Sequence, residues 1–281
     1  MQKHSNIGFI QGRLSPIIDG RIQCFPWGYW ENEFKLAGEM GLRLIEWTLD
    51  QDQLHDNPIM SDEGRSSILE LSKINNVSIP SLTGDCFMQA PFWKSSGSQQ
   101  EILKNDFEKI LQACQDLDIE YLVVPLVDAG RLENIEQKEL LGNFLMNLVP
   151  KMKGKKTKIV FESDEAPVAL GQWIESLPEF YFGINYDIGN SASLGYKPLE
   201  EFESYGHRVL NLHIKDRILG GTTVALGEGA ANFDEVFKSL KKYDYRGNYI
   251  LQTARSSSGD HVGALNKYIA MTESWIEQYG L

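Results

Sequence analysis

The sequence predicts an α/β fold, a closed (β/α)8 barrel of the TIM type. Eight short apolar runs begin roughly every 34 residues along the chain. Segments with apolar residues at helical spacing fill the intervals. No glycine-rich fingerprint follows an early run, which disfavours an open doubly wound sheet. No Pro/Ser-rich linker, charge block or low-complexity tract divides the chain, so residues 1–281 read as a single TIM-barrel domain.

The elements follow in order. Residues 7–10 form strand one, and Gly41 stops the first helix. Residues 44–47 are strand two. Ser61 stands where an N-cap is wanted, ahead of strand three at 77–82. Leu103, Phe107, Ile110, Leu111 and Cys114 share a helical face before strand four at 121–125. Leu141, Phe144, Leu145 and Leu148 do the same before strand five at 158–161. Strand six is 182–186, and the helix after Asn190 is short, at 198–205. Strand seven is 209–212. Asn232 caps a helix carrying Phe233, Val236, Phe237 and Leu240, and strand eight follows at 249–251. Leu265, Tyr268, Ile269 and Trp275 mark the last helix. Several strands are apolar without alternation, as strands buried on both faces should be.

Composition narrows the function. At 42% hydrophobic residues, the chain can build a sizeable core. A net charge of −12 would repel nucleic acid phosphate and anionic membrane, so neither is expected as a partner. No stretch approaches the roughly 20 apolar residues of a membrane span. The opening MQKHSNIGFIQGRLSP lacks the apolar run of a signal peptide. Cys24, Cys86 and Cys114 show neither pairing motif nor zinc spacing and suit a reducing cytosol. A cytoplasmic protein is expected.

Chemistry in such a barrel gathers where the C-terminal ends of the strands meet. The ends present Gln11 and Arg13, Glu46, Asp85, Asp128, Glu162, Asp187, His213 and Gln252 in strand order. Glu162, Asp187 and His213 stand on consecutive strands, whose spacing of about 4.8 Å lets three ends share one ion. Two carboxylates and an imidazole suit one divalent metal ion: Mn²⁺, Mg²⁺, Co²⁺ or Zn²⁺. Lys215 and Arg217 bring positive charge beside that centre and suit a substrate phosphate or carboxylate. Among Glu46, Asp85 and Asp128, Glu46 is the one expected to hydrogen-bond substrate hydroxyls. The aromatics of CFPWGYW (24–30) and MQAPFWK (88–94) are expected to supply at least part of a wall at the barrel mouth. The glycines of 226–229 are expected to shape a turn.

The motifs FES after strand five, YDIGN after strand six and HIKDR after strand seven resemble the xylose-isomerase-like barrel superfamily. NIGFIQGRLSP and LGEGAANF resemble its sugar phosphate isomerase/epimerase branch. The resemblance spans essentially the whole chain. It implies a divalent metal held by a Glu, an Asp, a His and a Glu on strands five to eight. The first three match Glu162, Asp187 and His213, and the fourth falls on Gln252, a departure. The family's histidine three residues after the strand-six Asp falls on Asn190, a second departure at a substrate-binding position. The substrate-binding basic residue after strand seven matches Arg217. In ketose epimerases the strand-five and strand-eight glutamates form the acid/base pair. Glu162 is then ligand and base, whereas Gln252 neither accepts nor donates a proton near neutral pH.

The resemblance therefore implies an isomerase or epimerase of a small sugar or sugar derivative, working through an enediolate. A metal-dependent dehydratase needs only one base and tolerates Gln252. A non-catalytic sugar-binding barrel with a decayed site is the remaining alternative. The endonuclease branch needs a histidine-rich multi-zinc site, which five histidines, one of them at a strand end, do not supply. Barrels of this branch are often dimers or tetramers, so a homo-oligomer is expected.

Overall fold

A computed structural model describes residues 6–281, and the opening five residues of the N-terminal stretch lie outside the described part. Eight parallel strands close into a barrel. They are β1 (Ile7–Ile10), β2 (Leu44–Thr48), β3 (Ser81–Thr83), β4 (Tyr121–Leu126), β5 (Lys158–Ser163), β6 (Phe182–Asp187), β7 (Val209–Ile214) and β8 (Asn248–Leu251). They run round the barrel in sequence order, and β8 closes on β1 through Ile7–Tyr249, Gly8–Ile250 and Phe9–Leu251.

Strand alternation sorts the side chains. Outward residues such as Phe9, Trp47, Phe161, Phe182, Leu212 and Tyr249 join the helices in one continuous apolar core. Inward residues Tyr121, Val123 and Val160, with Leu210 packed on them, form a separate small cluster within the barrel. Gly8 lies where an added Cβ would meet Leu44 Cβ at 2.6 Å, so a side chain there would collide with the neighbouring strand.

The helices begin and end as their local residues dictate. Ser61 Oγ accepts from Gly64 N (3.1 Å) and Asn232 Oδ1 from Glu235 N (3.1 Å), each cap contributing about 1 kcal/mol. Gly41, at φ 81°, closes Trp30–Met40. The weakly marked region after β6 holds two helices, Ile188–Leu194 and Pro198–Tyr205.

β3 departs most from the sequence expectation of 77–82. Pro80 has no N–H to give the ladder, so pairing resumes only at Ser81, leaving an isolated bridge between Ser78 and Leu44. Conversely, β5, β6 and β7 run past their apolar residues to include Glu162, Asp187 and His213. Those three side chains therefore ride on ladder-bonded backbone rather than on loops.

Candidate metal centre and substrate cavity

β6 and β7 pair Asp187 directly with His213, and β5 carries Glu162 next to β6. One ligating atom from each of Glu162, Asp187 and His213 lies within 4.8 Å of the others, and all three residues are buried. His213 Nδ1 faces Glu162 Oε2 at 3.2 Å and Asp187 Oδ2 at 3.7 Å. Its other nitrogen, Nε2, meets Glu46 Oε1 at 2.7 Å.

The polar layer beneath this group orients it. Glu46 is fully buried, and its oxygens accept from Ser81 Oγ (2.6 Å), Thr83 Oγ1 (2.7 Å) and Asn211 Nδ2 (3.1 Å) besides facing His213. Asn211 Nδ2 also donates to Asn185 Oδ1 (2.9 Å), and Asn185 Nδ2 donates to Glu162 Oε2 (3.0 Å). Glu46 thus stands below the centre with every oxygen engaged. This corrects its expected place at substrate hydroxyls: on β2 it points to the imidazole, and the cavity wall does not include it. Asn185 and Asn211 escaped the sequence reading. Each lies two residues before a candidate ligand, which strand alternation places on the same inward face.

Burial disfavours a charged His213. The charge of Glu46 and the hydrogen bonds that Asp187, Glu162 and Glu46 accept from the ring outweigh it and push the imidazole well above its usual range. Asp187 is opposed by burial too, yet Lys215 first and then His213 bring it down to about 2. Its Oδ1 meanwhile caps the following helix by accepting from Asn190 N (2.8 Å).

Lys215 Nζ donates to Asp187 Oδ2 (3.1 Å) and to Gln252 Oε1 (3.0 Å). Gln252, 7% exposed, therefore reaches the group through the lysine. Asn190 Nδ2 donates to Glu162 Oε1, and Asn190 Oδ1 accepts from Arg217 Nη1 (2.8 Å). Arg217 is held further by Gly221 O. Asp216 turns away. It gathers the amides of Gly227 (2.9 Å), Gly229 (2.9 Å) and Ala231 (3.1 Å), which builds the turn expected from the glycines of 226–229.

Glu162, Asn190, Lys215, Arg217 and Gln252 open on a cavity of about 500 Å³, with Asp187 and His213 behind its wall. Arg13, Lys215 and Arg217 line it together with Asp85, Asp128 and Glu162, so cations balance anions in an otherwise acidic protein. Gln23, Asn190 and Gln252 add amides. Neither aromatic cluster lines it. Phe25, Trp27 and Trp30 pack around Trp47 on the outside of β2, and Phe92 and Trp93 pack toward Phe107 and Phe144. Apart from the exposed Tyr29, the expected aromatic wall is therefore packed into the helix–strand core, where apolar rings gain most by burial.

The fold and the centre together define a barrel with a carboxylate–imidazole cluster at the C-terminal ends of its strands. The family model for the xylose isomerase-like TIM barrel matches residues 34–275, and the chain belongs to that family. It is 22% identical over 262 residues to the putative L-ribulose-5-phosphate 3-epimerase SgbU of Escherichia coli strain K12, covering 88% of this chain and 90% of that one. Among solved structures, the IOLI protein with a bound zinc atom superposes with a TM-score of 0.75 at 15% identity, covering 98% of this chain and 99% of that one. A D-tagatose 3-epimerase-like protein gives a TM-score of 0.69 at 17% identity, with 98% of each chain covered.

Proposed function

We propose that the protein is a divalent-metal-dependent isomerase or epimerase of a small sugar or sugar derivative. The convergence of Glu162, Asp187 and His213, with Glu46 anchoring the imidazole from behind, carries this reading. The donor set fits a divalent cation: two hard carboxylates and one imidazole whose far nitrogen is fixed by a carboxylate. Glu162, Asp187 and His213 would hold the ion, with the Gln252 amide oxygen as a fourth, neutral candidate. Mn²⁺, Mg²⁺, Co²⁺ and Zn²⁺ all suit these ligands. When bound, the ion supplies a positive charge that stabilises a carbonyl oxygen gaining negative charge.

The chain's own residues do the rest. Glu162 takes the proton from the carbon beside the carbonyl. Asn185 and Asn190 hold its two oxygens in place by donating to them. Lys215, Arg217 and Arg13 offer charge to a phosphate or carboxylate on the substrate, while the cavity's amides suit sugar hydroxyls. The relatedness to a pentulose-phosphate epimerase favours an isomerisation that moves protons and leaves mass unchanged.

The test is exchange. In deuterated water, with each of the four metals, L-ribulose 5-phosphate, D-tagatose, D-psicose and D-fructose are followed by proton NMR. Loss of the α-proton signal from at least one sugar is expected, and Glu162→Gln abolishes it. No exchange with any sugar contradicts the reading, and a product lighter by one water identifies a dehydratase instead.

A further inference from the structure

We propose that Asp85, just beyond β3, is the second proton-transfer group of the cavity, supplying the proton that Gln252, just beyond β8, cannot. The proposal rests on the isomerase/epimerase reading and deepens it.

Position comes first. Asp85 opens the short helix Asp85–Gln89 directly after β3, and its carboxyl lines the same cavity as Glu162. β4 separates the two strands, so the two residues stand at different points of the barrel rim. Connection comes second. Gln252 Nε2 donates to Gln23 Oε1 (3.2 Å), and Gln23 Nε2 donates to Asp85 Oδ2 (3.2 Å). Arg13 Nη2 also donates to Gln23 Oε1 (3.2 Å), which fixes the orientation of that amide. The glutamine that stands where an acid is missing is thus hydrogen-bonded, through one amide, to an acid elsewhere on the wall.

The third point is where a proton resides. Asp50 lies near Asp85 and accepts two N–H bonds, from Phe25 N (2.7 Å) and Gln89 Nε2 (2.9 Å). Asp85 accepts one, from Gln23. Burial first, then the charge of Asp50, raise the Asp85 carboxyl to about 7. Glu162 adds to that push, while Gln23 and Lys215 oppose it, and Arg13 is the other charged neighbour. Asp85 can therefore hold or release a proton near neutral pH, as a general acid must.

The step balances. Glu162 removes the proton from the carbon beside the carbonyl, the C–H electron pair forms a C–C double bond, and the carbonyl oxygen becomes negative. Asp85 then gives its proton to that carbon from its own point on the rim. The double-bond pair forms the new C–H bond and the carbonyl is restored. Glu162 ends protonated and Asp85 ionised, and proton exchange with solvent resets both.

The experiment separates the two transfers in one sample. With Mn²⁺ and the four sugars in deuterated water, NMR follows both loss of the starting α-proton and appearance of the epimer. Asp85→Asn is expected to slow epimer appearance about 100-fold while slowing α-proton loss less than about tenfold. Adding Gln252→Glu to Asp85→Asn is expected to recover at least about tenfold, by restoring an acid at the end of β8. A readout free of sugar and metal is thermal unfolding against pH. A raised native carboxyl binds its proton more tightly than the unfolded chain does, so its share of stability falls as pH rises from 3.8 toward about 7. Asp85→Asn removes that share, so its melting temperature gains on wild type across that window. Epimer appearance within about threefold of wild type in Asp85→Asn overturns the role of Asp85 alone. Absence of exchange in wild type with every sugar removes the parent reading, and the role of Asp85 with it.

Discussion

His213 shows how one residue is prepared by its neighbours. Glu46 takes Nε2, so Nδ1 is turned to Glu162 and Asp187. Glu46 has no other task in the cavity, and its full burial makes it a positioning residue for the imidazole. Glu46→Gln keeps the shape but removes the charge that anchors the ring at Nε2. The variant should bind Mn²⁺ about 10- to 100-fold more weakly by calorimetry while its circular dichroism stays native. Unchanged affinity would remove Glu46 from this role. The sequence placed Glu46 at a strand end but could not tell whether it faced substrate or imidazole. That distinction depends on height within the barrel, which is set by register between strands far apart in the chain. Asp85 was equally visible as a strand-end acid. Its link to Gln252 runs through Gln23, which lies in the long loop after β1, where no periodicity guides a reading.

At the scale of elements, the strands were legible because their outward and inward faces are both buried, which leaves unbroken apolar runs. β3 was the exception, and the cause is local: Pro80 breaks the ladder inside a run that hydrophobicity alone joins together. The aromatic clusters misled for a different reason. Their composition suits a sugar-binding wall and a helix–strand interface equally, and only tertiary packing decides between them. Asp216 is a principal anchor of the β7–α loop. Asp216 collects three amides, and an added Cβ on Gly229 would lie 2.1 Å from its Oδ1. Asp216→Ala leaves those amides without their acceptor and should cost about 2–3 kcal/mol. Hydrogen exchange should then rise at Gly227, Gly229 and Ala231 while the barrel strands keep their protection. Uniform loss of protection would mean that the loop is no separate unit.

For the whole molecule, barrel closure brings together residues 240 positions apart, as in the bond from Arg13 Nε to Thr253 O. Such closure concentrates carboxylates at one end of the strands, where a cation relieves their mutual repulsion. The proposed chemistry therefore requires that Glu162, Asp187 and His213 bind a divalent ion. Isothermal titration of Mn²⁺ into purified wild type, His213→Ala and Asp187→Asn tests this most directly. Wild type should bind about one ion per chain, and each variant should lose about 100-fold in affinity or more. The ion must displace the proton that Glu46 and the neighbouring acids hold on His213, so wild-type affinity should fall as pH is lowered. Absence of binding in wild type, or equal binding in the variants, would contradict the account.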